Sequence, residues 1–124
     1  MHPAYPQIKK MSPLFVVADL EQSLNFYRQN LGFEIDFRYE DFYAGIIKDG
    51  FSIHLKLGYS AIKNRVSNSD DEHIDLTFEI TGINDFFEVI KTLPVTIIQP
   101  LRQMPYGTEF YIADPDGYTL AFLE

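Results

Sequence analysis

A chain of 124 residues, 46% hydrophobic and 23% charged, has the size and composition of one globular domain, which excludes a disordered or fibrous chain. Ten Lys and Arg against 18 Asp and Glu leave a net charge of −8, which repels phosphate backbones and anionic lipid, so neither a nucleic-acid nor a membrane partner is expected. The absence of Cys removes disulfides, thiolate nucleophiles and Cys-ligated zinc, while 11 Phe and 8 Tyr supply large apolar surface for a core and for pocket walls.

Residues 1–11 read as an N-terminal arm, extended at Pro3 and Pro6 and without the apolar stretch of a secretion signal, so a cytoplasmic location is expected. The longest apolar run, Leu14 to Ala18, is far short of the roughly 20 residues of a membrane span, and Leu14 to Val17 reads as a buried strand. A helix follows. Asp19 can cap its first amides, with Gln22 three residues on as in a capping box. Leu20, Leu24, Tyr27 and Leu31 form one stripe, and Gly32 ends it. Phe33–Tyr39, Phe42–Lys48 and Phe51–Leu57 read as strands, joined by turns at Glu40-Asp41 and Asp49-Gly50.

From Tyr59 to Asp71 the chain is polar and reads as a connector. The order then begins again. His73–Ile80 alternates like a strand, with Ile74, Leu76, Phe78 and Ile80 on one face and His73, Asp75, Thr77 and Glu79 on the other. A helix carries Ile83, Phe86, Phe87, Ile90 and Leu93 and stops at Pro94. Val95–Gln99, Thr108–Ala113 and Tyr118–Leu123 supply three more strands, with an Asp116-Gly117 turn. The pattern is an internal duplication: module one over 12–58, a connector over 59–71 and module two over 72–124.

The segment from Asp19 to Phe33, DLEQSLNFYRQNLGF, resembles the opening of the glyoxalase/bleomycin-resistance/extradiol-dioxygenase family, the vicinal oxygen chelate superfamily. Pro105-Tyr106-Gly107, Phe110 and Asp114-Pro115-Asp116-Gly117 are similar to its closing signature, with Tyr where Trp is common. The resemblance implies an α+β fold of two βαβββ modules, whose curved mixed sheets surround a cavity with the helices outside. It also implies a homodimer. The metal-dependent members place ligands at positions that fall here on Ser12, His54, His73 and Ala121. The last holds Glu in those enzymes and is a methyl group here.

That shortage directs the reading to the metal-free, bleomycin-resistance-like branch: no cofactor, and a small organic ligand sequestered in the inter-module cavity. The acidic balance suits a cationic, antibiotic-like ligand. Strand alternation turns Ser52, His54 and Lys56 away from the helix, and His73 likewise. With Arg102 and Tyr106, just before and at the start of the closing signature, His54, Lys56 and His73 are the expected ligand-binding residues. The alternative is a metal-dependent lyase or dioxygenase of the same superfamily with an altered ligand set. In it His54 and His73 hold a divalent ion weakly, and Glu109 or Asp75 completes the triad. Asp114 and Asp116 are expected to hold backbone amides in their turn.

Overall fold

The computed structural model describes residues 4–58 and 73–124, so the expected connector lies outside the described residues. Module one contains β1 (Leu14–Val17), α1 (Leu20–Leu31), β2 (Glu34–Tyr39), β3 (Tyr43–Lys48) and β4 (Phe51–Leu57). Module two contains β5 (Leu76–Glu79), α2 (Ile83–Ile90), β6 (Thr96–Met104), β7 (Gly107–Ala113) and β8 (Thr119–Leu123). The sheets have the orders β1-β4-β3-β2 and β5-β8-β7-β6 and share no strand. In each, the first strand runs parallel to the last and the other pairs are antiparallel. The two βαβββ modules of the expected α+β fold are thus both present.

Helix α1 begins where the sequence signals place it. The Asp19 side chain accepts a hydrogen bond from the Gln22 amide at 3.1 Å, and Gly32 closes the helix in the left-handed conformation. Leu20, Leu24, Tyr27 and Leu31 are buried against β2, β3 and β4. At about 1.5–3 kcal/mol for each fully buried leucine, this stripe rather than intrinsic propensity holds the helix on its sheet. Helix α2 obtains its cap from far away in sequence. The Glu124 carboxylate accepts from the amides of Gly82 at 3.0 Å and Ile83 at 2.9 Å. A negative group at the positive helix end replaces the local cap that Gly82 cannot provide.

Three boundaries differ from the sequence expectation by more than one residue. Helix α2 ends at Ile90 rather than reaching Leu93, because the amides of Thr92 and Leu93 tighten onto Val89 and Ile90 ahead of Pro94. Strand β6 continues through Pro100 to Met104. It is an edge strand with register shifts at 97/99 and 99/102, and an edge tolerates the missing proline N–H. Strand β5 starts at Leu76, so His73 precedes the strand rather than standing on it.

One continuous core joins the modules, running from Phe15, Val17 and Leu24 to Phe87, Phe110 and Leu120. The Asp-Pro-Asp-Gly turn between β7 and β8 fastens them together. Asp116 accepts from the Ala18 amide at 2.8 Å and the Ser23 hydroxyl at 3.3 Å. Asp114 accepts from the Tyr27 hydroxyl at 2.8 Å and from the amides of Asp116 and Tyr118, both at 2.9 Å. Tyr118 stacks on Phe15 and bonds the backbone of Val16 in both directions. The aspartates do hold backbone amides, and they also hold module one. Burial pushes the Asp114 carboxyl up to about 6 despite these donors.

Candidate functional site

Each helix covers one face of its own sheet, and the residues of interest lie on the opposite faces. On β4, Ile53 and Leu55 are buried in the core, which turns Ser52, His54 and Lys56 to the other side. Gly45 is the partner of both Phe37 and His54 across the sheet. The Phe37 ring lies over Gly45 so closely that any side chain there would collide with it. Phe37 therefore rests edge-on to the His54 ring, with centroids 5.2 Å apart, and stacks with Tyr43 at 6.0 Å. The Tyr43 hydroxyl and His54 Nδ1 share a hydrogen bond of 2.8 Å, which fixes the imidazole. Ser12 and Ser52 are hydrogen-bonded to each other, and Lys56 is exposed at the end of the row.

The corresponding face of the second sheet carries a buried ionic cluster. Register places Arg102 opposite Glu109, and Gln99 opposite Tyr111, which in turn faces Ala121. Glu109 is 1% exposed. Its Oε2 accepts from Arg102 Nε at 2.8 Å, Arg102 Nη2 at 2.6 Å and the Tyr111 hydroxyl at 2.9 Å. Its Oε1 accepts from the Tyr106 hydroxyl at 2.6 Å. Arg102 also donates to Gln99 at 3.0 Å and lies over the Tyr111 ring. Burial alone would raise the Glu109 carboxyl, but the hydrogen bonds from Tyr106, Arg102 and Tyr111 and the guanidinium charge outweigh it and hold it below the usual range. The bond to Glu109 raises the Tyr106 phenol.

The structure thus brings Arg102 and Tyr106 together on Glu109, and it sets His54 and Lys56 on one face of β4. His73 joins neither group. It is 69% exposed, and its Nε2 lies 3.1 Å from Asp75 Oδ1. Asp75 is itself committed through Oδ2 to the Thr119 amide at 2.8 Å. Sequence reasoning did not place Phe37, Tyr43 and Tyr111 among the ligand-binding residues and treated Glu109 only as a spare carboxylate. The available signal was Glu109 and Tyr111 alternating with Phe110 and Ile112, a charged residue at a strand position whose neighbours are core. A groove of about 600 Å³ lined by Arg28, Gln29, Phe33, Glu34 and Ile35 lies elsewhere, at the end of α1, and contains none of these residues.

The metal positions suggested by resemblance do not assemble a donor set. Ser12 is engaged with Ser52, His54 uses Nδ1 on Tyr43, His73 stands apart with Asp75, and Ala121 offers a methyl group. Among the described residues no three His, Asp or Glu side chains come together to hold an ion. A resident divalent ion ordinarily needs about three such ligands, so these residues do not fit one.

Two four-stranded mixed sheets, each with a helix on one face and polar and aromatic side chains on the other, define the class: a duplicated βαβββ protein. The chain belongs to the Glyoxalase/Bleomycin resistance protein/Dioxygenase superfamily, whose pattern it matches over residues 10–122. It is similar to a lactoylglutathione lyase of Neisseria meningitidis, with 26% identity over 117 residues, covering 87% of this chain and 84% of that protein. Its fold is similar to the bleomycin-binding protein of bleomycin-producing Streptomyces verticillus, solved with copper(II)-bleomycin (TM-score 0.71, 20% identity, 96% and 98% of the two chains). It is likewise similar to a lactoylglutathione lyase from Agrobacterium tumefaciens (TM-score 0.73, 15% identity, 97% and 96%).

Proposed function

We propose that this protein binds a small organic molecule, without a metal or other cofactor, against the helix-free faces of its two sheets, and sequesters it by burial. The observation that carries this reading is the pairing of two facts. Preorganised aromatic and polar groups occupy those faces, and the family's metal positions do not assemble a donor set. Phe37, Tyr43 and the Tyr106 ring would supply apolar contact, while His54, Lys56 and Arg102 would orient the ligand. His73 enters only through a shift of the segment ahead of β5. The net charge of −8 favours a cationic, antibiotic-like ligand over nucleic acid or a membrane surface. A cytoplasmic homodimer is the proposed working form, with antibiotic resistance as its benefit to the cell.

Bleomycin is the probe of choice, because a protein of similar fold binds it. Titration followed by tyrosine fluorescence and thermal shift should show saturable binding by metal-stripped protein, and expression should protect cells. No shift from bleomycin or from a broad panel of cationic compounds would contradict the reading. The second reading is a metal-dependent lyase or dioxygenase with His54 and His73 as weak ligands. It is favoured by the 26% identity to a lactoylglutathione lyase, and lactoylglutathione lyase activity appearing on addition of a divalent metal would establish it.

A further inference from the structure

The Glu109 carboxylate is held unevenly. Three donors, two from Arg102 and one from Tyr111, lock Oε2. Among the described residues the one donor on Oε1 is the Tyr106 hydroxyl, at 2.6 Å. A carboxylate oxygen can accept two hydrogen bonds, so Oε1, charged and fixed in position, can take a donor from a ligand. Its cover is a ring that is itself 63% exposed and is borne on the two-residue turn Pro105-Tyr106 between β6 and β7. Rotating that one side chain uncovers Oε1 without disturbing the ion pair beneath it.

We propose that Glu109 Oε1 is the recognition point for a cationic nitrogen on the ligand, and that the Tyr106 hydroxyl is a placeholder which this nitrogen displaces. The assignment rests on the ligand-binding reading above and narrows it to molecules bearing an ammonium or amidinium group. A neutral N–H exchanged for the phenolic O–H gains nothing, because each gives the carboxylate a single neutral donor. The bond from Tyr106 is charge-assisted on the acceptor side only, and a cationic donor adds the attraction of its own charge. Arg102 and Tyr111 keep the carboxylate ionised and in place for it. Tyr106 then restrains binding through its hydroxyl even where its ring lines the site.

The test compares phenethylamine with its neutral counterpart 2-phenylethanol. Both are titrated into the full-length protein, with the labelled tyrosine ring signals read by NMR. The amine should bind more tightly than the alcohol and shift the Tyr106 signal. Tyr106→Phe leaves the Arg102–Glu109 pair intact and should tighten amine binding about tenfold, the value of one hydrogen bond to a charged group, and alcohol binding by a similar factor because the same competing hydroxyl is removed, so the preference for the amine persists. Glu109→Gln should abolish the preference for the amine. Equal binding of the two probes, or weaker amine binding in Tyr106→Phe, would overturn the assignment while leaving the ligand-binding reading in place. Failure of both probes to bind overturns the assignment. Only if bleomycin and the cationic panel also fail does the broader reading fall with it.

Discussion

Replacing Asp114 by asparagine isolates the electrostatics of the joint between the modules. The carboxyl is 5% exposed and lies between the Tyr27 hydroxyl of α1 and the Asp116 and Tyr118 amides of its own turn. Burial lifts it from 3.8 to about 6, a gap worth about 3 kcal/mol at 1.36 kcal/mol per pH unit. Because the folded value lies above the unfolded one, the contribution is fully present below about pH 4 and is lost as pH rises through about 6. Asparagine carries no such dependence. Its carbonyl oxygen still accepts the two amides, but the donor bond from Tyr27 goes, at about 1 kcal/mol. The variant should therefore be about 1 kcal/mol less stable than the native protein near pH 3.8 and about 2 kcal/mol more stable near pH 7.5. Urea unfolding followed by circular dichroism at both pH values measures the difference. A native-minus-variant difference that does not change with pH, or that moves in favour of the native protein as pH rises, would show that burial does not raise the Asp114 carboxyl.

Two further expectations follow from the same contacts. Glu124→Ala removes the carboxylate that caps α2 and should cost about 1 kcal/mol in urea unfolding, whereas Glu124→Gln, which keeps an acceptor oxygen, should cost less. An equal loss in both variants would count against the capping role. Glu109→Ala removes the buried carboxylate that Arg102 grips through Nε and Nη2 and should destabilise by about 3–5 kcal/mol, while Tyr106→Phe should stay within about 1 kcal/mol; similar losses in the two would show that the ion pair does not anchor the second sheet.

Much of the scaffold was legible because its determinants are local. Asp19, the stripe from Leu20 to Leu31 and Gly32 specify α1 within a dozen residues. Asp49-Gly50 specifies the β3–β4 turn, where both residues have positive φ. The departures came from tertiary effects. Pro100 reads as a strand stop until β6 is known to be an edge, and His73 reads as a strand residue because the alternation that sets β5 extends past its hydrogen-bonded limit. The site was legible on β4, where Ile53 and Leu55 fix the direction of His54 by parity. It was obscure on the second sheet. Nothing local says that Arg102, Tyr106, Glu109 and Tyr111 meet, because their meeting depends on the bulged register between β6 and β7. The Asp114 and Asp116 turn was legible as a turn, but its grip on Tyr27, Ser23 and Ala18 crosses about 90 residues of sequence.

Metal content is the most direct measurement of the central claim. Protein purified without chelator and subjected to elemental analysis should contain no zinc, nickel, iron or manganese in stoichiometric amount. One tightly held ion per site, lost on His54→Ala, would contradict the account.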